Sequence, residues 1–364
     1  MSKNTMSYPS VSLNDLRRII PVAGPVITPY IMGEPGTAKS SLLSMLTKDL
    51  GDEYEPIYFD CGSLNYGDVG SYIPVHDTKT LEFYVSSLLK FDSPKKKLIM
   101  LDEFGKLSKV LRPTMTRLIL ERMVGNLSLT EGSIIFATSN STTDGVGDFL
   151  AAHEGNRVSV FKLRKPRAVD EAGRPVEYLV YASENGVSPV TQAFAAMTPA
   201  AFASYEDDPE NPMVFNPRTN NTTFLSLRSL TKADFAYIQN RAVLGEAATF
   251  AGLCGTVGRA AAEAIMAFIA LEAEVTSIPD IVANPDTARM PSNMGVLYMI
   301  IFNAVNALVT QDDLTAFMKY MKRSGSDEIQ AVFFTMLAAN NKTARLARGN
   351  ASIKEWMQTN YELV

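Results

Sequence analysis

Residues 31–42 read "IMGEPGTAKSSL". An apolar, strand-like run, "PVITPYIM", leads in from Pro25, and the amphipathic stretch "SSLLSMLTKDL" (Ser40 to Leu50) leads out. Between them Gly33, Glu34, Pro35, Gly36, Thr37, Ala38, Lys39 and Ser40, with Ser41 beyond, nearly match the spacing of a phosphate-binding loop. Such a loop turns backbone N–H groups toward phosphate oxygens, and the following helix adds the positive end of its dipole. Lys39 would reach the β- and γ-phosphates, and the Ser40 hydroxyl would ligate Mg²⁺. One position departs: Ala38 stands where the pattern has its second glycine. Alanine suits the place provided its φ is negative, because only a left-handed residue there demands glycine.

Around this stretch lie further apolar runs of strand length: "PIYFDC" near Tyr58, "KLIMLDE" around Leu101, "SIIFATSN" around Phe136, and "RVSVFKL" ending at Leu163. Each is short, nearly continuous and rich in Ile, Val, Phe or Leu, as strands buried on both faces of a parallel sheet are. "SSLLSMLTKDL" and "RPTMTRLILERMV" (Arg112 to Val124) are long enough for crossover helices. Near the start, Leu13 to Pro21 reads as a helix capped by Ser12 or Asn14 and ended by Pro21. The expectation is an open α/β sheet of five parallel strands flanked by helices, with its ligand site at the carboxyl ends of the strands.

After Pro166 the composition shifts. Residues 203–223 are polar and rich in Pro and Asn, a loop or linker. Beyond Leu230 the chain is helical and Ala-rich, and Gly255 and Gly258 are small enough to let helices approach closely. The expected division is an α/β domain over 1–225, including the linker, and an all-helical domain over 226–364.

Composition narrows the function. Lys and Arg total 34 against 39 Asp and Glu, a mild net charge of -5 that argues against non-specific nucleic-acid binding. Cys61 and Cys254 read as buried free thiols, and His76 and His153 have no neighbours from which a zinc site could be built. The N-terminus lacks an apolar core of signal-peptide length. The most apolar run, Met294 to Val309, is short for a bilayer span and reads as a buried helix. A cytoplasmic protein without membrane contact is expected.

Two strand ends carry candidate chemistry. "LIMLDEFGK" finishes an apolar strand with adjacent carboxylates; Asp102 can hold Mg²⁺, and Glu103 can polarise an attacking water. "IIFATSN" ends in Thr138, Ser139 and Asn140, and Asn140 is the candidate for orienting that water. Together these elements resemble an AAA+ ATPase, and more narrowly the MoxR-like branch known from phage and bacteria. "GEPGTAKS" is similar to its Walker A, "LIMLDEFGK" to its Walker B, and "IIFATSN" to its sensor 1. "LAAHEGNRVSVFKL" is similar to the segment where that branch has Asn-Arg before its last core strand, and the lid phrases "GTVGRAAAEAIMAF" and "VANPDTARMP" also resemble it. The resemblance runs from about Ser12 to about Pro291.

It implies an α/β core followed by a helical lid, with ATP and Mg²⁺ as ligands. It implies Arg157 as an arginine finger acting on a neighbouring subunit. Arg228 in "FLSLRSL" stands for the sensor 2 arginine, with Arg218 as competitor; the branch has Ser-Pro-Arg where this chain has Ser226-Leu227-Arg228. The stretch Val69 to Val85 reads as a hairpin with Asp77 to Lys79 at its tip, which in this branch faces a central pore or a partner. The resemblance further implies a hexameric ring acting as a chaperone on a separate protein, one class of which carries a von Willebrand A domain. The alternative is a DNA-directed motor on the same core, for which "SPKKKL" (Ser93 to Leu98) is the one compact lysine run. A non-hydrolysing nucleotide scaffold is a third reading, disfavoured by Glu103.

Overall fold

The computed structural model describes residues 9–140, 157–218, 223–340 and 343–360. Contacts divide the chain into two compact units, separated between Lys165 and Pro166. This division falls before the 225/226 boundary that composition suggests. The helix Pro189–Met197 packs on the helix Met294–Ala307, so the segment after Pro166 shares a core with the C-terminal helices.

The first unit runs in the order β1 (Ser10–Val11), α1 (Leu13–Ala23), β2 (Thr28–Gly33), α2 (Ser41–Leu50), β3 (Tyr54–Asp60), β4 (Gly70–Val75), β5 (Thr80–Val85), β6 (Lys96–Asp102), α3 (Arg112–Glu121), β7 (Met123–Val124), β8 (Leu127–Ser128), β9 (Ile134–Asn140) and β10 (Val158–Leu163). Six strands form one parallel sheet in the order β1-β10-β2-β9-β6-β3. Five of them are the apolar runs expected from sequence. The sixth, β1, pairs only Ser10 with Lys162 and Val11 with Leu163 at the sheet's edge. Two residues carry no periodicity, so the sequence does not announce it.

The pleat sends alternate side chains to two cores. Leu98, Met100, Ile134 and Phe136 join Leu16, Ile20, Leu42 and Leu46 of α1 and α2 on one face. Ile99, Leu101, Ile135 and Ala137 join Met115 and Leu118 of α3 on the other. All four of Leu98 to Leu101 are fully buried, each worth about 1.5–3 kcal/mol of transfer free energy. That double-sided burial fixes the end of β6, and so the site of Asp102.

Two local expectations change. Ser12, not Asn14, caps α1 through a reciprocal box with Asp15, and Pro21 sits inside a last turn that continues to Ala23. The α3 helix stops at Glu121, since Arg122 takes a left-handed φ of 58° and Met123–Val124 turns back to pair with Leu127–Ser128. The hairpin expected over 69–85 is present: β4 and β5 pair antiparallel from Gly70↔Val85 to Val75↔Thr80.

The second unit is helical throughout its regular elements. Its most apolar segment is the buried helix Met294–Ala307. Among the described residues no helix is long and apolar enough to cross a membrane. Gly258 ends one helix with φ 84° and starts the next, and a Cβ on Gly255 would meet open space. Neither serves close helix approach. Gly252 does, where a Cβ would fall 2.5 Å from the Tyr237 ring. The fully buried Asp234 ties two helices together, accepting from Ser188 N (3.0 Å), Ser188 Oγ, Thr191 Oγ1 (2.6 Å) and Gln239 Nε2 (2.6 Å).

Candidate functional site

The loop after β2 is set by two left-handed residues, Gly36 (φ 76°) and Ala38 (φ 64°). The condition placed on Ala38 from sequence is therefore not met: it occupies the glycine-type conformation, at about 1–2 kcal/mol for an L-residue. Its methyl is partly buried against the α1/α2 core, which offsets part of that cost. Gly33 is needed for space instead, since a Cβ there would lie 3.3 Å from Leu163 and from Thr37 Oγ1. The loop then ties to itself: Thr37 Oγ1 donates to the Glu34 carbonyl (2.9 Å) and Ser41 Oγ to that of Ala38 (2.6 Å). Pro35 stands half-buried between them.

Ser40 occupies the N-cap of α2 but makes no side-chain cap bond. Its hydroxyl donates to Asp102 Oδ2 at 2.8 Å. Lys39 is buried and donates to the carbonyls of Gly33 (2.7 Å) and Glu34 (2.8 Å) and to Asn140 Oδ1 (3.2 Å). This convergence follows from strand order. β9 lies between β2 and β6, and Gly33 is in register with Asn140, so the loop faces the ends of both β9 and β6.

Asp102 is the hub. It is 6% exposed, and its Oδ2 accepts from Ser40 and from Tyr58 Oη (3.0 Å). Its Oδ1 accepts from Thr138 Oγ1 and from the Glu103 N–H (3.2 Å). Glu103 is left-handed (φ 52°), and its carboxylate pairs with Lys106 Nζ at 2.6 Å. Burial first, and then the charge of Asp102, raise the Tyr58 phenol above its ordinary range, so it stays a donor. The same two influences push the neighbouring buried Cys61 thiol up to about 12. Burial pushes the Lys165 ammonium down to about 8, against the opposing pull of Glu34.

The donor set suits a hard divalent cation. A hydroxyl and a carboxylate stand 2.8 Å apart, and Mg²⁺ characteristically takes one or two protein oxygens and completes its shell with phosphate and water. Among the described residues no group of three or more His, Cys, Asp or Glu side chains is placed to cage a metal. A cation here would need the oxygens of a ligand.

The loop residues, Asp102, Glu103 and Asn140 are thus brought together. Arg157 is not brought to this site within its own chain: it is an exposed turn residue preceding Val158, which pairs with Thr28 at the amino end of β2. The length of β2, about 16 Å at ~3.3 Å per residue, separates it from the loop. Residues 150–156 leading to it, with His153, lie outside the described residues. Arg228 and Arg218 are exposed residues of the second unit. Sequence reasoning passed over Tyr58 and Lys165, and among the three polar residues that end β9 it chose Asn140 over Thr138. Thr138 was within reach, since period-two alternation puts it on the same face of β9 as Asn140.

No family model matches the chain, and no curated protein matches it. Among solved structures it is similar to NtrX from Brucella abortus in complex with ADP, at 12% identity and a TM-score of 0.40, over 96% of this chain and 68% of that one. NtrX from the same organism in complex with ATP gives 13% identity and a TM-score of 0.38, over 98% and 69%. At such scores the likeness adds nothing to the chemistry, which rests on how the loop, β6 and β9 converge.

Proposed function

We propose that this chain is a Mg²⁺-dependent ATPase of the AAA+ type, MoxR-like, which works as a hexameric ring and remodels or matures a separate protein. The observation that carries the reading is one convergence: Ser40 on Asp102 (2.8 Å) and Lys39 on Asn140 (3.2 Å). These four side chains come from three segments far apart in sequence and gather where α2 begins. A loop of small residues without a ligand has no use for such an assembly.

In this reading the turn's N–H groups and Lys39 hold the β- and γ-phosphates, with Lys39 exchanging its carbonyl partners for phosphate oxygens. A magnesium ion on Ser40 and Asp102 would supply positive charge to those oxygens. Asn140 orients the attacking water. Glu103 takes its proton as the water oxygen bonds to the γ-phosphorus; the bond to the β,γ-bridging oxygen breaks, and ADP keeps the electron pair. Glu103 must first leave Lys106.

Arg157, distant from its own loop, serves the next protomer's nucleotide, where a guanidinium stabilises the transferring phosphoryl group. Arg228 fills the sensor 2 role, with Arg218 as the alternative. Head-to-tail contacts that repeat this arrangement close into a ring. The client is a separate chain, and a von Willebrand A domain is one candidate. The DNA-motor reading gains no support from the lysine run: Lys97 is buried with its Nζ on the Ser93 carbonyl (2.7 Å), and Lys96 pairs with Glu53.

The test is turnover. Glu103→Gln should bind ATP and fail to hydrolyse it, and equal turnover in both proteins would remove Glu103 from its role. Mixing Arg157→Ala with Lys39→Ala subunits should restore partial activity through interfaces that keep an intact loop and an intact arginine. No recovery in rings shown to be mixed would sink the trans assignment. The ATP-locked Glu103→Gln protein is the reagent for capturing the client.

A further inference from the structure

Tyr58 lies on β3, an edge strand of the sheet, and the residue is 50% exposed. Surface placement alone asks nothing of its hydroxyl, yet the phenol reaches across to Asp102 Oδ2 at 3.0 Å. The register explains how. Asp60 pairs with Asp102, so Tyr58 is two residues earlier on the same face as that carboxylate. Its ring has the length to climb those two steps.

Asp102 therefore receives hydroxyls from three elements: Ser40 from the loop, Tyr58 from β3 and Thr138 from β9. These donors are not equivalent. Ser40 alone is also placed to ligate a cation, and it would do so through an oxygen lone pair while its proton stays on Asp102. Thr138 holds the other carboxylate oxygen. Tyr58 shares Oδ2 with Ser40 and holds that oxygen from the side of β3.

We propose that Tyr58 is a positioning residue for the cation, fixing the Asp102 carboxylate so that Oδ2 stays beside the Ser40 hydroxyl. The inference rests on the nucleotide reading of the loop and extends it to a residue outside the loop and both motif strands. Hydrogen-bond partners of metal ligands are commonly worth ten- to a hundredfold in metal affinity. A half-exposed donor belongs at the lower end of that range.

The experiment uses the full chain and a fluorescent N-methylanthraniloyl derivative of ATP, with affinity measured in EDTA and across a magnesium titration. Tyr58→Phe keeps the ring, so Cys61 should stay as protected from thiol reagents as in the wild type. Its affinity in EDTA should lie within about twofold of wild type, because the loop and Lys39 are untouched. The magnesium concentration giving half of the tightening should rise about tenfold. An unchanged or lower magnesium midpoint would overturn the assignment of Tyr58 while leaving the nucleotide site standing. A wild-type chain whose nucleotide affinity ignores magnesium would overturn the reading of the site itself, and Tyr58 with it.

Discussion

The left-handed Ala38 gives the sharpest test of the loop, because its sign can be worked out for both conformations. With φ at 64°, Ala38→Gly removes a backbone cost of about 1–2 kcal/mol. Glycine returns about 0.5–1 kcal/mol through the entropy of the unfolded chain. Losing a half-buried methyl costs about 0.4 kcal/mol more, half of a buried methylene. The balance is a small gain, about 0.3 kcal/mol. Were Ala38 right-handed, the relief would vanish and the same substitution would cost about 1.1 kcal/mol, close to sixfold in the population of open molecules. The assay must report the first unit alone. Trp356, the sole tryptophan, lies in the second unit. Cys61 is 1% exposed in the first unit and is the only thiol left after Cys254→Ala. Its labelling by a thiol reagent, in the regime where reclosing outpaces reaction, tracks the open population. Ala38→Gly should label as slowly as the parent or more slowly. Labelling accelerated about sixfold would refute the left-handed assignment.

Three further outcomes are expected from the same contacts. Thr138→Val keeps the shape and removes a hydrogen bond to the Asp102 carboxylate; it should cost the first unit about 1.5–3 kcal/mol, read by Cys61 labelling, and no loss would mean the bond is not made. Lys165 has a folded pKa of about 8 against an ordinary 10.5, so its penalty is fully present below pH 8, where both states are charged. It is relieved as the folded state alone loses the proton between pH 8 and 10.5. Stability should rise across that window by up to about 3 kcal/mol, and Lys165→Met should abolish the rise in denaturation curves at pH 7.5 and 10. In the second unit Asp234→Ala strands the donors of Ser188, Thr191 and Gln239; a loss of about 3 kcal/mol or more in Trp356-monitored unfolding is expected, and a loss under 1 kcal/mol would contradict the buried network.

What the sequence made legible is what burial imprints on it. The apolar runs at Leu101 and Phe136 are strands buried on both faces, and as parallel neighbours they bring their polar ends together. Strand pairing left no such imprint at β1, whose two residues are too few for any period. Ala38 was misjudged because a near match to a motif gives residue types and says nothing of φ; the core contact that lets an alanine stay left-handed is tertiary. Tyr58 escaped for a similar reason. Its importance comes from parallel register with β6, and nothing local to "PIYFDC" says which strand will lie beside it. Gly255 and Gly258 show the opposite error, since small residues in an Ala-rich run suggested packing where one breaks a helix and the other meets open space.

In the nucleotide reading ATP and its cation occupy residues 33–40, and equilibrium binding decides it. Wild-type protein should bind ATP, more tightly with magnesium than in EDTA, and Lys39→Ala should lose most of that affinity. Equal binding by the two proteins, or none by the wild type with magnesium present, would contradict it.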